Sequence, residues 1–271
     1  MQYNHLKFIL IIAVIFITAS SHKNIPDDKY AGNTIKVMTY NIHHCNPPGK
    51  QDVIDVNAIA AVIKKQNADI VAVQEVDINT NRSGKINEAE QLAVKAGYPS
   101  FFFAKAMDFD GGQYGILLLS KYGLSDTKAY NLPMDSVNGG EQRMLAAGTI
   151  TLLAGKTFRF GCTHLEAYHK TSRDLQIKEI CRIAEETTLP FIVAGDFNSG
   201  EGSEVINMLD EHFTRTCNNC PSTFGEDGET GAIDFIAFKP KDVFTILSHK
   251  VVQNNTASDH MPVVAELQVN K

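Results

Sequence analysis

The chain has 271 residues, 44% hydrophobic and 21% charged, with a formal net charge of −6. This is ordinary globular composition, long enough for one large domain with a substantial core, and it contains no linker, repeat or low-complexity tract. The acidic balance and the lack of a basic stripe do not advertise tight, sequence-independent binding of long nucleic acid, and leave nucleic acid open as a transient substrate whose charge bound metal ions offset.

The first segment is set apart from the fold. "MQYNHLK" is weakly basic, "FILIIAVIFI" is apolar and "TASS" is small, which is the layout of a secretory signal. The apolar run is short for a bilayer span. The reading is a signal peptide over 1–21, cleaved near Ser20 or Ser21, then a mobile leader over 22–34 and one domain over 35–271. Cleavage removes Lys7 and no acid, so the remaining chain is one unit more negative. An exported protein follows, periplasmic or extracellular, with no stable membrane anchor; an uncleaved anchor is the minority alternative.

"TIKVMTYNI" alternates as a strand and reaches a polar end at Asn41. "DVNAIAAVIKKQN" has helical spacing, with Asp55 as N-cap. "ADIVAVQEVD" is a buried-type strand ending in Gln74 and Glu75, and "NEAEQLAVKAG" is a helix stopping at Gly97. "YPSFFFAKAM" and "QYGILLLSKY" are strands. "RMLAAGTITLLAGKTFRFGCTHL" is a hairpin turning at Ala154-Gly155-Lys156, its second strand ending at His164. "SRDLQIKEICRIAEET" is an amphipathic helix whose wet face carries Lys170, Arg173 and Lys178. "PFIVAGDFN" is a strand, "SEVINMLDE" a short helix, and "GAIDFIAF", "FTILSHKVV" and "MPVVAELQV" give a β-rich ending. Two sheets packed face to face with helices outside account for this order. Cys217 and Cys220, in "TRTCNNCPS", read as a local disulfide closing a loop in a non-cytosolic protein; a zinc half-site would need a second Cys/His pair, and only His212 is near. Cys45, Cys162 and Cys181 read as small core residues.

The polar residues fall into a pattern. Asn41, Glu75, His164, Asp196 with Asn198, and Asp259 with His260 each end or closely follow an apolar run. One acid after a strand is a common turn former. Repeated at several strand ends, such residues read as one polar site at the rim of a sandwich, because a buried strand end gains nothing from an unsatisfied charge. Oxygen ligands of this kind suit Mg²⁺, Mn²⁺ or Ca²⁺ and not Zn²⁺.

"TYNIHH", "QEVD", "YGILLLSK", "THLEA", "GDFN", "IDFI" and "SDHMPV" occur in the order found in the endonuclease/exonuclease/phosphatase family, and the chain resembles that family from about residue 35 to 269. The resemblance implies an α+β fold, a four-layer α/β/β/α sandwich of two mixed sheets flanked by helices. It implies a divalent-metal-dependent phosphoric ester hydrolase, using Mg²⁺ or Mn²⁺, that hydrolyses a phosphodiester or phosphomonoester by attack of water. Its substrate would be nucleic acid, a phospholipid head group or a sugar phosphate, and the protein is expected to be a monomer. The alternative is a non-catalytic binding module on the same fold, against which the joint presence of the site residues argues.

Carried over residue by residue, the resemblance makes Glu75 the central metal ligand, with Asn41 and Asp259. Asp196 and Asn198 orient water and phosphate. His260 is a general base or charge-stabilising donor, Asp234 its orienter, and His164 a second phosphate-facing histidine. Tyr114 lies near the phosphate, and Arg143 is a candidate contact to it. His43 and His44 are rim residues. Arg82 either shapes the pocket or only pairs with Asp77. His5, His22, His212 and His249 read as ordinary polar residues. Ala232 stands where relatives often have a base, which leaves substrate identity open. The loop "CNNCPSTFGEDGETG" is expected to wall the cleft, its Glu226, Asp227 and Glu229 disfavouring a duplex across it.

Overall fold

The computed structural model describes residues 33–50, 52–137, 139–225, 231–253 and 256–270. The signal segment, nearly all of the leader, and Glu226, Asp227 and Glu229 lie outside these residues.

The first sheet is built from β1 (Thr34–Asn41), β2 (Ile70–Ile78), β3 (Ser100–Phe109) and β4 (Gly112–Ser120), and the second from β5 (Leu124–Asn131), β6 (Met144–Thr151), β7 (Thr157–His164), β8 (Phe191–Asp196), β9 (Thr214–Arg215) and β10 (Asp234–Lys239). The chain then returns, and β11 (Phe244–Val251) and β12 (Val263–Val269) join the first sheet. The strand orders are β11-β12-β1-β2-β4-β3 and β5-β6-β7-β8-β10-β9. Each sheet holds one central parallel pair, β1 with β2 and β7 with β8. Parallel neighbours need a crossover, and α1 (Val56–Gln66) and α3 (Lys170–Glu185) supply it. α2 (Glu88–Ala96) and α4 (Glu204–His212) complete the helices.

Three apolar clusters separate the layers. Ile35, Val37, Ile116 and Leu118 meet Phe158, Phe160, Ile192 and Ile236 between the sheets. Ile59, Ile63 and Leu92 cover the outer face of the first sheet at Met38, Val71 and Val73. Ile177, Ile180 and Leu209 do the same for the second at Leu145, Val193 and Phe235. The four-layer sandwich expected from the sequence is therefore the observed architecture. Helix ends follow local chemistry: the Asp55 side chain accepts from Ala58 N, and Gly97 takes a left-handed φ of 84° that closes α2. Among the described residues no helix is long and apolar enough to cross a membrane.

Cys217 and Cys220 are bonded, and Cys45, Cys162 and Cys181 are free and buried. His212 pairs with Glu185 at 2.8 Å, and His249 Nδ1 lies 2.9 Å from Thr216 Oγ1, both away from the strand-end site. Ala232 is buried in the outer core of the second sheet. Arg173 departs from the wet-face reading. It is half-buried, and Nη1 donates to the carbonyls of Glu166 and Ala167 at 2.7 and 2.9 Å, bracing the loop after β7. Helical spacing put its Cα on the outer face, but the long side chain bends back to orphan carbonyls.

Candidate active site

Strand register alone assembles half of the site. His164 is opposite Asp196 in the β7–β8 pair, and Asp234 is opposite Asp196 in the β8–β10 pair. Three adjacent strands thus place His164, Asp196 and Asp234 side by side at one sheet end, all buried. The other half comes from the facing sheet. Asn41 ends β1 and is fully buried. Glu75 sits where the β2–β4 register slips, between Val73 and Val76, with φ at 58°. A left-handed non-glycine residue in a bulge costs roughly 1–2 kcal/mol and re-aims its side chain. Here it brings Glu75 into the cleft beside Asn41.

The two halves are hydrogen-bonded to each other. Asn41 Nδ2 donates to Glu75 Oε1 and to Asp196 Oδ2, both at 3.0 Å, while its Oδ1 accepts from His43 N at 3.1 Å. Ser258 Oγ donates to the Asn41 carbonyl at 2.8 Å, which anchors the segment carrying Asp259 and His260. Asn198, at φ 46°, donates its backbone N–H to Asp196 Oδ1 at 2.8 Å and its amide to the Leu165 carbonyl at 2.9 Å. Asp196 is thus held through both oxygens, with Oδ2 facing two imidazoles: His164 Nε2 at 3.5 Å and His260 Nε2 at 3.7 Å.

The hydrogen bonds fix different states for the two histidines. His260 Nδ1 lies 2.9 Å from Asp234 Oδ2. A carboxylate only accepts, so Nδ1 carries a proton. Burial opposes the charged ring, but Asp234 and then Asp196 outweigh it and push His260 up to about 10. His164 Nδ1 lies 2.9 Å from Arg143 Nη1. A guanidinium only donates, so His164 is the neutral ring with its proton on Nε2. Burial, then the Arg143 charge, hold it well below the usual histidine range. Burial and the neighbouring Asp234 raise the Asp196 carboxyl to about 7. Burial also works to raise Glu75, yet the His44 ring 3.8 Å away, the Asn41 amide and the His260 charge hold it well below the usual carboxylate range.

Most of these groups face one cleft of about 390 Å³, whose lining includes Glu75, Tyr114, Arg143, His164, Asp196, Asn198, Asp259 and His260, with His43 and His44 at the rim. Asn41 and Asp234 lie behind this surface as partners. Arg143 is in the wall, with Nη1 2.9 Å from His164 Nδ1 and Nη2 paired with Glu141 at 2.6 Å. Tyr114 OH lies 3.5 Å from His164 Nδ1. Arg82 meets both of its readings: it pairs with Asp77 at 2.7 Å and lines the cleft. Phe224, from the loop expected to form a wall, lies 4.6 Å from the His260 ring centroid. Phe109, Glu141 and Tyr168 also line the cleft, and no local pattern marks them.

The donor set suits a hard divalent cation. Glu75 and Asp259 offer carboxylate oxygens to the cleft, with the Asn41 amide bonded to Glu75 directly behind it. Asp196, Asp234 and His260 also converge, with donor atoms within 4.8 Å of one another. A 2.9 Å Nδ1–Oδ2 bond already joins His260 to Asp234, and the trio is better described as a His–Asp dyad facing a carboxylate.

The model of the endonuclease/exonuclease/phosphatase family matches residues 38–260, which span every site residue just described, from Asn41 to His260. This chain belongs to that family. Endonuclease/exonuclease/phosphatase proteins are phosphoric ester hydrolases, typically dependent on a divalent metal, and the acidic and histidine cluster here fits that chemistry. No curated protein matches the chain by sequence. Solved structures share its fold. A family protein from Bacteroides thetaiotaomicron is 17% identical with a TM-score of 0.76, over 89% of this chain and 100% of that one. A mannosyl-6-phosphatase from the same organism is 17% identical, TM-score 0.70, over 86% and 99%. The human Nocturnin catalytic domain with bound sulfate is 17% identical, TM-score 0.68, over 88% and 96%.

A buried polar network lies behind the cleft. Fully buried Asp77 accepts from Arg82, Thr80 and Ser83, and the equally buried Glu88 accepts the Asp77 N–H at 2.8 Å. Burial, with Asp77 close by, pushes the Glu88 carboxyl up to about 8, while the unfolded chain keeps the ordinary 4.5. The folded state therefore binds the extra proton between those values. The resulting stability is fully present below about 4.5 and lost as pH rises through about 8. The melting temperature of the wild type should consequently fall more steeply than that of Glu88→Gln between about pH 5 and pH 9, by the equivalent of a few kcal/mol. Parallel curves in thermal melts at several pH values would show that Glu88 does not titrate in this range.

Proposed function

We propose that this chain is an exported, Mg²⁺-dependent phosphoesterase, acting as a monomer on a small phosphoester by attack of water. The reading rests chiefly on one observation: His164, Asp196 and the His260–Asp234 dyad converge on the cleft that Glu75 and Asp259 also line. Glu75, Asn41 and Asp259 would hold the cation, and Mn²⁺ could replace it. Bound there, the ion supplies Lewis acidity toward the phosphate oxygens.

The chain's own residues account for the rest. Charged His260 and neutral His164 present two N–H donors at the same Asp196 oxygen, a cradle for the oxygens of a phosphoryl group. Asp196, fixed through Oδ1 by Asn198 N, takes the proton of the attacking water through Oδ2. Asp234 keeps the His260 Nε2–H aimed into the cleft, where it can pass to the departing oxygen. The cleft volume and its acidic lining, Glu75, Glu141, Asp196 and Asp259, favour a small ester over a polyanion. The fold relative named as a mannosyl-6-phosphatase supports a sugar phosphate as the first candidate. The signal layout of residues 1–21 and the Cys217–Cys220 bond support export, with residues 35–271 as the catalytic domain.

The test is a screen of purified protein with Mg²⁺ or Mn²⁺ against sugar phosphates, model phosphodiesters, phospholipid head groups, plasmid DNA and RNA. A phosphoester is hydrolysed, activity disappears in excess EDTA, and either metal restores it. Glu75→Gln needs at least about tenfold more Mg²⁺ for half-maximal rate. Full activity in excess chelator would defeat metal dependence. Ligand binding without turnover would identify a binding module, and preference for DNA or RNA would identify a nuclease.

A further inference from the structure

Arg82 lines the cleft but takes no part in the hydrolytic scheme. Its guanidinium is held rigidly. Asp77 accepts from Nε at 2.7 Å and from Nη2 at 3.0 Å, and Thr80 and Ser83 hydroxyls at 2.8 and 2.7 Å fix Asp77 in turn. The guanidinium carbon lies 4.5 Å from the Phe109 ring centroid and 5.6 Å from that of Tyr114. A side-on pair through Nε and Nη2 leaves Nη1 directed away from Asp77, and 31% of the side chain remains open. A clamp serving only the 79–85 loop would not require an exposed aromatic shelf in the cleft, yet Phe109 keeps 36% of its surface exposed there.

The position of this shelf suggests what it would hold. Tyr114 spans from Arg82 to His164, with its ring against the guanidinium and its hydroxyl 3.5 Å from His164 Nδ1. Arg82 and Phe109 therefore share the cleft with His164, with Tyr114 bridging Arg82 to it. Asp77 neutralises Arg82, and Glu75, Glu141 and Asp259 line the same cleft, so a second phosphate is disfavoured. A neutralised but fixed guanidinium is suited to donate to hydroxyl oxygens, and an aromatic face packs well on the C–H face of a sugar. We propose that Arg82 and Phe109 form the leaving-group subsite and take a hydroxyl-bearing ring, a hexose or ribose, esterified to the phosphate. This inference rests on the phosphoesterase reading and adds to it the residues that would take the sugar ring.

The experiment compares glucose 6-phosphate with methyl phosphate, which has no ring, in wild type, Arg82→Lys, Arg82→Met and Phe109→Ala. The ratio of kcat/KM on glucose 6-phosphate to that on methyl phosphate should fall about tenfold or more in Arg82→Met and Phe109→Ala, the loss of one good hydrogen bond or one packed ring. Arg82→Lys should keep less than half of the wild-type ratio, because Nζ cannot both pair with Asp77 and reach the ring. Ratios within twofold of wild type in all three variants would overturn the subsite. Phe109 lies outside the Asp77 pair and tests the idea even if Arg82→Met does not fold. Should the wild type hydrolyse neither ester, the phosphoesterase reading stands or falls on the wider screen above, and calorimetric titration with the same two compounds decides the subsite: a fall in their affinity ratio in the variants supports it, and unchanged ratios overturn it.

Discussion

Asp196→Asn lowers kcat by about 10²–10⁴-fold and changes KM far less, the range expected for loss of a general base. The change removes one charge and keeps the shape. The amide can still accept from Asn198 N, so the turn after β8 survives. The substituted side chain loses the ability to take a proton, which matters mainly in the transition state and so appears in kcat. His260→Ala should give a comparable loss. The double variant should lose less than the product of the two, because the side chains face each other at 3.7 Å and serve one step. Turnover near wild type together with a lower melting temperature would mean that Asp196 only shapes a turn.

Asp234→Asn should lower kcat by about 10²–10³-fold through His260, which it holds at 2.9 Å. The charged carboxylate fixes the proton on Nδ1 and favours the imidazolium. An amide can accept from Nδ1–H or donate to a bare Nδ1, so the ring loses both its charge preference and its single tautomer. Stability should fall as well, because the change removes the carboxylate that pairs with the buried, charged His260 ring, and this outweighs the relief of the Asp234 charge that opposes ionisation of Asp196. Unchanged kcat in Asp234→Asn, measured alongside thermal melts, would remove the dyad from the mechanism.

The strand ends were legible because their signal is local. In "PFIVAGDFN" and "FRFGCTHL" an apolar run long enough for a strand stops at a polar residue, and both Asp196 and His164 lie in the cleft. Strand β5 was not legible. "LSDTKAYN" is almost wholly exposed and lacks alternation, and it is a strand only because β6 offers it an edge. The state of His164 was also hidden, since Arg143 lies 21 residues away and only tertiary packing brings its donor to Nδ1. Similarly, no periodicity reveals that Glu75 escapes its strand through a bulge or that Phe109 meets Arg82. Local pattern located the chemistry; the partners that set its charge states came from the other strands.

The return of β11 and β12 to the first sheet governs when such a site can exist. β12 pairs with β1 from Thr34 opposite Gln268 to Thr39 opposite Val263, so two stretches more than 200 residues apart in the chain become neighbours at the centre of one sheet. A growing chain that has reached β10 already holds Asn41, Glu75, His164, Asp196 and Asp234, but it lacks Asp259 and His260, and β1 is a bare edge. Closing so large a loop is slow relative to forming hairpins. Catalytic competence therefore arrives late and all at once, with the same crossing that removes a sticky edge. A partly made chain can carry most of the active-site residues and still be hydrolytically inert.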